Sequence, residues 1–126
     1  MAKFTLIQNP TFKAEVALPR VGAPPENVEF EFQYRDRAAL AALYAGWSER
    51  HKELGLKVDE MGLEQFTAAQ IDLQVDQVKA VVVGWDIEEE FTEKNIRVLV
   101  SSIASAAGAV LSAYSEAYSQ ARLGNS

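Results

Sequence analysis

The segment from Val28 to Tyr34 alternates strictly between apolar and polar side chains, and this period of two limits the folds that the chain can adopt. The apolar residues are Val28, Phe30, Phe32 and Tyr34. Such alternation is typical of a β-strand with one buried face. A second, less regular alternation runs from Phe12 to Leu18. The simplest arrangement is an antiparallel pair whose apolar face packs on a layer of helices.

Two neighbouring segments extend this predicted β unit to residues 4–34. Residues 4–8 are β-prone and end at the turn signal Asn9-Pro10, so they predict a short third strand. Residues 19–27 hold three prolines and Gly22. Because proline removes a backbone donor and glycine adds conformational freedom, we expect an irregular connection between the two alternating segments.

Beyond residue 35 the apolar residues recur at intervals of three and four, which predicts helices over about residues 36–122. Asp36 is a suitable N-cap for a first helix from Arg37 to Leu54, and Gly55 is a suitable end. Residues 55–65 are predicted as a loop. With about four helices after an N-terminal antiparallel unit of two to three strands, the predicted fold class is α+β.

Two segments carry the residue pattern of a helix start. Thr67 and Gln70 fit a capping box, which predicts a second helix from about Ala68 to Val83. Thr92 can cap the free N–H groups of a third helix that begins at Glu93.

The stretch from Gly84 to Thr92 joins these two helices and holds the densest acidic run of the chain, residues 86–90. Trp85 continues the apolar stripe of the second helix, and Gly84 offers the freedom to end it. The stretch is therefore predicted as a corner between two packed helices, with Trp85 at its centre. Its carboxylates lack the spacing and the glycine of a calcium loop, and the helix dipole explains acids just before a helix start.

The C-terminal part, from Ser101 to Gln120, is rich in alanine and serine, with apolar residues at helical spacing. A glycine inside a helix costs about 1 kcal/mol against alanine, so Gly108 favours a break near Ser105 that separates a fourth helix. Trp and Tyr are enriched at binding hot spots, although core packing explains the same spacing. The residues predicted to bind a protein partner are Trp85, Val110, Leu111, Tyr114 and Tyr118.

The composition limits the classes of partner. At 126 residues the chain has the length of one domain, predicted to span residues 1–126. Its net charge of -6, without a basic cluster, argues against binding to a nucleic-acid backbone. No run approaches the roughly 18 apolar residues of a membrane span, and no secretory signal is recognised. Proteins are the expected partners, and the lack of cysteine suits a reducing cytoplasm.

Catalytic and cofactor motifs are missing from the sequence. His51 is the single histidine, so no histidine pair can hold a zinc ion. No serine stands in a Gly-x-Ser-x-Gly motif, and no Gly-Lys-Ser/Thr run marks a phosphate loop. The sequence therefore predicts no cofactor, no metal and no enzymatic activity.

Three segments together match a known family. They are the strand and helix start from Val28 to Arg37, the stretch from Val78 to Thr92 with its Gly-Trp-Asp, and the segment from Ala109 to Tyr114. With them the chain resembles, over roughly residues 11–125, the small phage tail assembly chaperones of tailed phages and prophages. Members of that family often have a proline before the last helix, which residues 103–106 lack.

The resemblance implies a non-enzymatic assembly factor in the cytoplasm of the bacterial host. Such chaperones bind the long, apolar tape measure protein, keep it soluble and help to recruit tail tube protein subunits, and the mature virion lacks them. Weak self-association would suit the coating of a long client by many copies. The alternative is a small acidic phage or prophage regulatory or inhibitory module that binds one protein partner. The resemblance assigns no binding residue.

Overall fold

A computed structural model describes the backbone of residues 11–123 and the side chains of residues 11–119. The strands are β1 (Thr11–Arg20), β2 (Ala23–Gln33) and β3 (Val82–Trp85), and they form one antiparallel sheet in the order β1-β2-β3. The helices are α1 (Arg37–Lys57), α2 (Leu63–Val81), α3 (Glu93–Ser102) and α4 (Ala106–Leu123). A three-stranded antiparallel sheet with four helices confirms the α+β class. The segment predicted as a strand at residues 4–8 lies outside the described residues.

The two alternating segments pair as a long hairpin, with Phe12 opposite Phe32 and Val16 opposite Val28. The predicted irregular connection over residues 19–27 is wrong, because β1 and β2 continue through it to a two-residue turn. Pro19 falls at an irregularity in the strand register, where its missing N–H does not interrupt the ladder. Gly22 supplies the positive φ of 73° that the turn requires.

Gly22 and Gly46 make a matched pair for testing this turn. A methyl group added at either position would meet nothing within 4 Å, so only the backbone conformation distinguishes them. Gly22→Ala should destabilise the protein by about 1–2 kcal/mol because L-residues are strained at positive φ. Gly46→Ala, inside α1, should instead stabilise it by about 0.5–1 kcal/mol. Urea unfolding measures both, and equal effects of the two variants would contradict the tight turn.

The third strand corrects the predicted corner around Trp85. The second helix ends at Val81 rather than Val83, and Val82–Trp85 form β3 instead of a helix end. Val82 lies opposite Phe32, and Trp85 lies opposite Phe30. The spacing of the apolar residues in Val82–Trp85 fits a helix as well as a strand. Consecutive valines favour the strand here because β2 has an edge with which they can pair.

Helix boundaries between α1 and α2 also differ from the prediction. The helix α1 continues through Gly55 to Lys57. A 3₁₀ turn at Val58–Glu60 and two further residues connect it to α2. The predicted loop over residues 55–65 is therefore wrong. Because α2 starts at Leu63, Thr67 lies inside the helix and does not cap it.

Three other helix ends lie where the sequence predicted them. The Asp36 side chain accepts a hydrogen bond from the Ala39 N–H at 2.8 Å, and Thr92 accepts one from the Asn95 N–H at 3.1 Å. These contacts confirm both predicted caps. The chain leaves helical geometry between Ser102 and Ala106, which confirms the predicted break near Ser105.

The core lies between the inner face of the sheet and helices α2, α3 and α4. Phe30 and Phe32 of β2 are fully buried there, and both belong to the strictly alternating segment. The helices contribute Val75, Val78, Val81, Ile96, Val100, Val110 and Tyr114 to the same cluster. In contrast, α1 has no buried residue and lies against α2 at the edge of this core.

Candidate protein-binding surfaces

Three of the five predicted binding residues lie on α4 itself, on the face that is buried against the sheet. Val110 and Tyr114 have no exposed surface, and Tyr118 is 6% exposed. The Tyr114 hydroxyl donates a hydrogen bond to the backbone carbonyl of Gln33 at 3.2 Å. The Tyr118 hydroxyl donates to that of Arg35 at 2.8 Å. These hydrogen bonds connect α4 to the last residue of β2 and to the segment that follows it.

The rings of the two tyrosines also join an aromatic cluster on the sheet. Tyr114 lies 5.4 Å from Phe32 and 5.8 Å from Phe12, measured between ring centroids, and Tyr118 stacks on Tyr34 at 5.4 Å. Burial raises the pKa of the Tyr114 phenol, and the guanidinium of Arg35 opposes that rise to a smaller extent. In this conformation these side chains contact their own sheet, so a partner can reach Tyr114 only if α4 moves and can touch only the small exposed edge of Tyr118.

Trp85 lies at the surface instead, half-buried beside α3. Its Nε1–H donates to the backbone carbonyl of Glu89 at 2.8 Å, and its ring stands edge-on to Phe30 and Phe91, with centroids at 5.9 Å and 5.1 Å. We call the hollow beside it, of about 210 Å³, the Trp85 groove. Its apolar wall consists of Trp85, Ile87, Val98, Leu99 and Ile103.

The acidic loop, residues 86–90, borders the Trp85 groove. Besides the Trp85 bond to the Glu89 carbonyl, two hydrogen bonds hold the loop backbone in place. The Asp86 N–H donates to the Glu29 carbonyl at 2.9 Å, and the Asn95 side-chain amide donates to the Glu90 carbonyl at 2.8 Å. The carboxylates of Asp86, Glu88, Glu89 and Glu90 are exposed, and none forms an ion pair with another described residue. The groove therefore has an apolar wall and an acidic rim, in which Glu89 lines the hollow and Asp86, Glu88 and Glu90 flank it in the same loop.

A second apolar surface lies on the first half of α1, and the sequence reasoning missed it. The run from Ala38 to Gly46 has no charged residue, and none of its side chains is buried. We call this the α1 surface, defined by the exposed residues Ala38, Ala41, Ala42, Tyr44 and Ala45. Tyr44 and Tyr118 line a hollow of about 270 Å³ in it. The nine-residue uncharged run was the signal that could have revealed it.

Elsewhere the helices are joined by exposed ion pairs. Arg50 pairs with Asp76, and Arg97 pairs with Asp72, each at 2.8 Å. Such pairs stabilise a protein by at most about 1 kcal/mol each, so they mark solvated polar surface rather than a site. Within residues 11–119, no three His, Cys, Asp or Glu side chains are placed to hold a metal ion.

Among the described residues, no single helix is both long and apolar enough to cross a bilayer. Helices α3 and α4 meet the length and composition of a span only together, as a pair bent by 109°.

Comparison with known proteins gives a match over nearly the whole chain. A family model described as phage tail assembly chaperone matches residues 1–125. No curated protein and no solved structure gives a significant match. The match covers the hairpin, both apolar surfaces and α4, which is essentially the whole chain. The chain therefore belongs to the phage tail assembly chaperone family.

Proposed function

We propose that this protein binds the tape measure protein of its phage, keeps it soluble, and helps to recruit tail tube subunits while the tail is built. The family is one of assembly chaperones and not of enzymes, and the partners of such a chaperone are proteins of the tail. The identity of those partners, action in the host cytoplasm and absence from the mature virion are parts of the proposal.

The α1 surface is the observation that carries the proposal. A helix at the surface of a globular protein normally turns charged residues to the solvent, but the first half of α1 turns alanines and Tyr44 outwards. Tyr44 is 39% exposed and contacts Trp47, with ring centroids 5.3 Å apart. An uncovered apolar patch of this kind is typical of an interaction site.

The chemistry of this surface fits a helical client. Small side chains such as Ala41 and Ala45 allow a second helix to approach closely, and the hollow between Tyr44 and Tyr118 can receive one larger side chain. The net charge of -6 then keeps the complex soluble, because like-charged particles repel each other. Of the predicted binding residues, we assign Trp85 and the small exposed edge of Tyr118 to contact surfaces, and Val110 and Tyr114 to the support of α4. Leu111 is partly buried against the core and lines neither hollow. Weak self-association would let copies line up on a long client.

The test is co-expression with a fragment of the tape measure protein from the same genome. We expect the fragment to be insoluble alone and to co-purify with this chain when both are made. Ala41→Glu/Ala45→Glu should abolish that rescue because it places two charges on the α1 surface. The matched control is Thr67→Glu/Gln70→Glu, which adds the same two charges on the exposed face of α2 and should leave the rescue intact.

Two outcomes would contradict this proposal. Rescue by the Ala41→Glu/Ala45→Glu variant at the wild-type level would exclude the α1 surface as the client site. A client that stays insoluble beside well-folded wild-type protein would favour the alternative function, an acidic regulatory or inhibitory module with one protein partner.

A further inference from the structure

We infer that the Trp85 groove is a second, charge-selective docking site, which takes a short protein segment with a large apolar side chain and an adjacent Lys or Arg. This inference rests on the proposed function, since the segment would belong to a tail protein. It depends on the groove and its rim alone, and not on the α1 surface.

The size of the groove sets the class of ligand. Small-molecule sites usually enclose about 300–1,000 Å³, so a hollow of about 210 Å³ is too small for most metabolites. It is large enough for one or two aliphatic or aromatic side chains. Val98, on its α3 side, is 53% exposed, so the apolar wall is open to a partner. A peptide side chain is the ligand that fits this shape.

The rim sets the charge of the ligand. Glu89 is the charged residue among those that line the groove, and Asp86, Glu88 and Glu90 stand within three positions of it in the sequence. None of the four forms an ion pair with a described residue. On the α3 side, the cation Arg97 is already paired with Asp72, which leaves Lys94. The rim therefore has an excess of negative charge, and a neighbouring Lys or Arg on the partner would relieve it.

The loop is held in the geometry that this docking needs. The bonds from Trp85 Nε1 to the Glu89 carbonyl and from Asn95 Nδ2 to the Glu90 carbonyl, both 2.8 Å, use backbone acceptors of the loop. The carboxylates are thus left free while the backbone that carries them is fixed beside the apolar wall. A fixed site avoids part of the ordering cost of binding.

Intrinsic fluorescence can test the inference directly. The chain has two tryptophans, so Trp47→Phe leaves Trp85 as the reporter in the groove. Overlapping 15-residue peptides that cover the tape measure and tail tube proteins of the same genome are the probes. We expect the peptides that shift Trp85 emission to combine an apolar residue with a nearby Lys or Arg, and to bind more weakly at high salt.

A charge-matched pair of variants completes the test. Glu88→Gln/Glu89→Gln/Glu90→Gln should weaken peptide binding by about threefold to tenfold, from the modest strength of exposed ion pairs. Asp59→Asn/Glu60→Gln/Glu64→Gln removes three negative charges from the 3₁₀ turn and the first turn of α2, and should change peptide binding little. The groove would be excluded as a docking site if no peptide changed Trp85 fluorescence, or if both triple variants bound the peptides equally well. Either result would count against the groove even if co-expression rescued the client. If co-expression failed to rescue the client while peptides still bound beside Trp85, the proposed function would be contradicted and the docking site in the groove would be supported.

Discussion

Val78→Asp is expected to abolish cooperative folding. Val78 has no exposed surface, because α2 packs there against the sheet and the other helices. An unpaired carboxylate in such a site costs several kcal/mol, which is comparable to the total stability of about 5–15 kcal/mol of a typical domain. The neighbouring cation, Lys79, cannot compensate because it points outwards to Glu93. We expect the thermal transition seen by near-ultraviolet circular dichroism to disappear.

Ala68→Asp is the matched control for that result. It introduces the same side chain on the same helix, but at an exposed position. The loss should be only about 0.5–1 kcal/mol, from helix propensity. A sharp, native-like transition in Val78→Asp would mean that α2 does not pack as described.

Tyr114→Ala is expected to produce the second-largest loss of stability, about 3–5 kcal/mol. The substitution empties the centre of the aromatic cluster, where the ring contacts Phe12, Phe32 and Tyr118, and it removes the hydrogen bond to the Gln33 carbonyl. The expected fall in Tm is about 10–20 °C. Differential scanning calorimetry measures it directly.

Two further variants separate the causes of that loss. Ser115→Ala, at the exposed neighbouring position of α4, should leave Tm almost unchanged. Tyr114→Phe keeps the ring and removes only the hydrogen bond, so it should cost about 0.5–1.5 kcal/mol. A loss in Tyr114→Phe as large as in Tyr114→Ala would show that the hydroxyl, and not the ring packing, holds α4 in place.

The Tyr114 phenol also gives stability a dependence on alkaline pH. Its pKa is raised by burial in the folded state, whereas an unfolded tyrosine has a pKa of about 10. The stabilisation from the neutral phenol is therefore complete below pH 10 and is lost as the pH rises through the folded pKa. Between pH 9 and pH 11, Tm should fall less in Tyr114→Phe than in the wild type. An equal dependence of Tm on pH in both proteins would contradict a role of the Tyr114 phenol in alkaline destabilisation.

Local chemistry explains which parts of the fold could be read from the sequence. The alternation in β2 and the caps at Asp36 and Thr92 depend on residues next to one another, and the structure confirms them. The strand β3 could not be found in this way. Its residues Val82 and Trp85 fit a helical stripe, and only pairing with Phe32 and Phe30, about fifty positions earlier, selects the strand.

The candidate surfaces show the same limit. Spacing alone made the tyrosines of α4 equally good as core or as interface, and burial against the sheet depends on where α4 packs. The exposed alanines of α1 raise the opposite difficulty, because alanine is compatible with both environments. Trp85 was singled out as a contact candidate within a helical corner, and the structure replaces that corner with β3. Its role as a contact stays a prediction.

The attachment of α4 has a consequence for synthesis of the chain. The hydrogen bonds of Tyr114 and Tyr118 reach back 81 and 83 residues, to the end of β2. The hairpin leaves the ribosome early, yet the part of its aromatic face around Phe12, Phe32 and Tyr34 lacks its α4 partners until the last described helix has been made. Contacts this distant in sequence form slowly, and an uncovered face favours aggregation in the meantime. A nascent chain that stalls before α4 would itself be a client for chaperones, and premature stop codons in this region should yield insoluble protein.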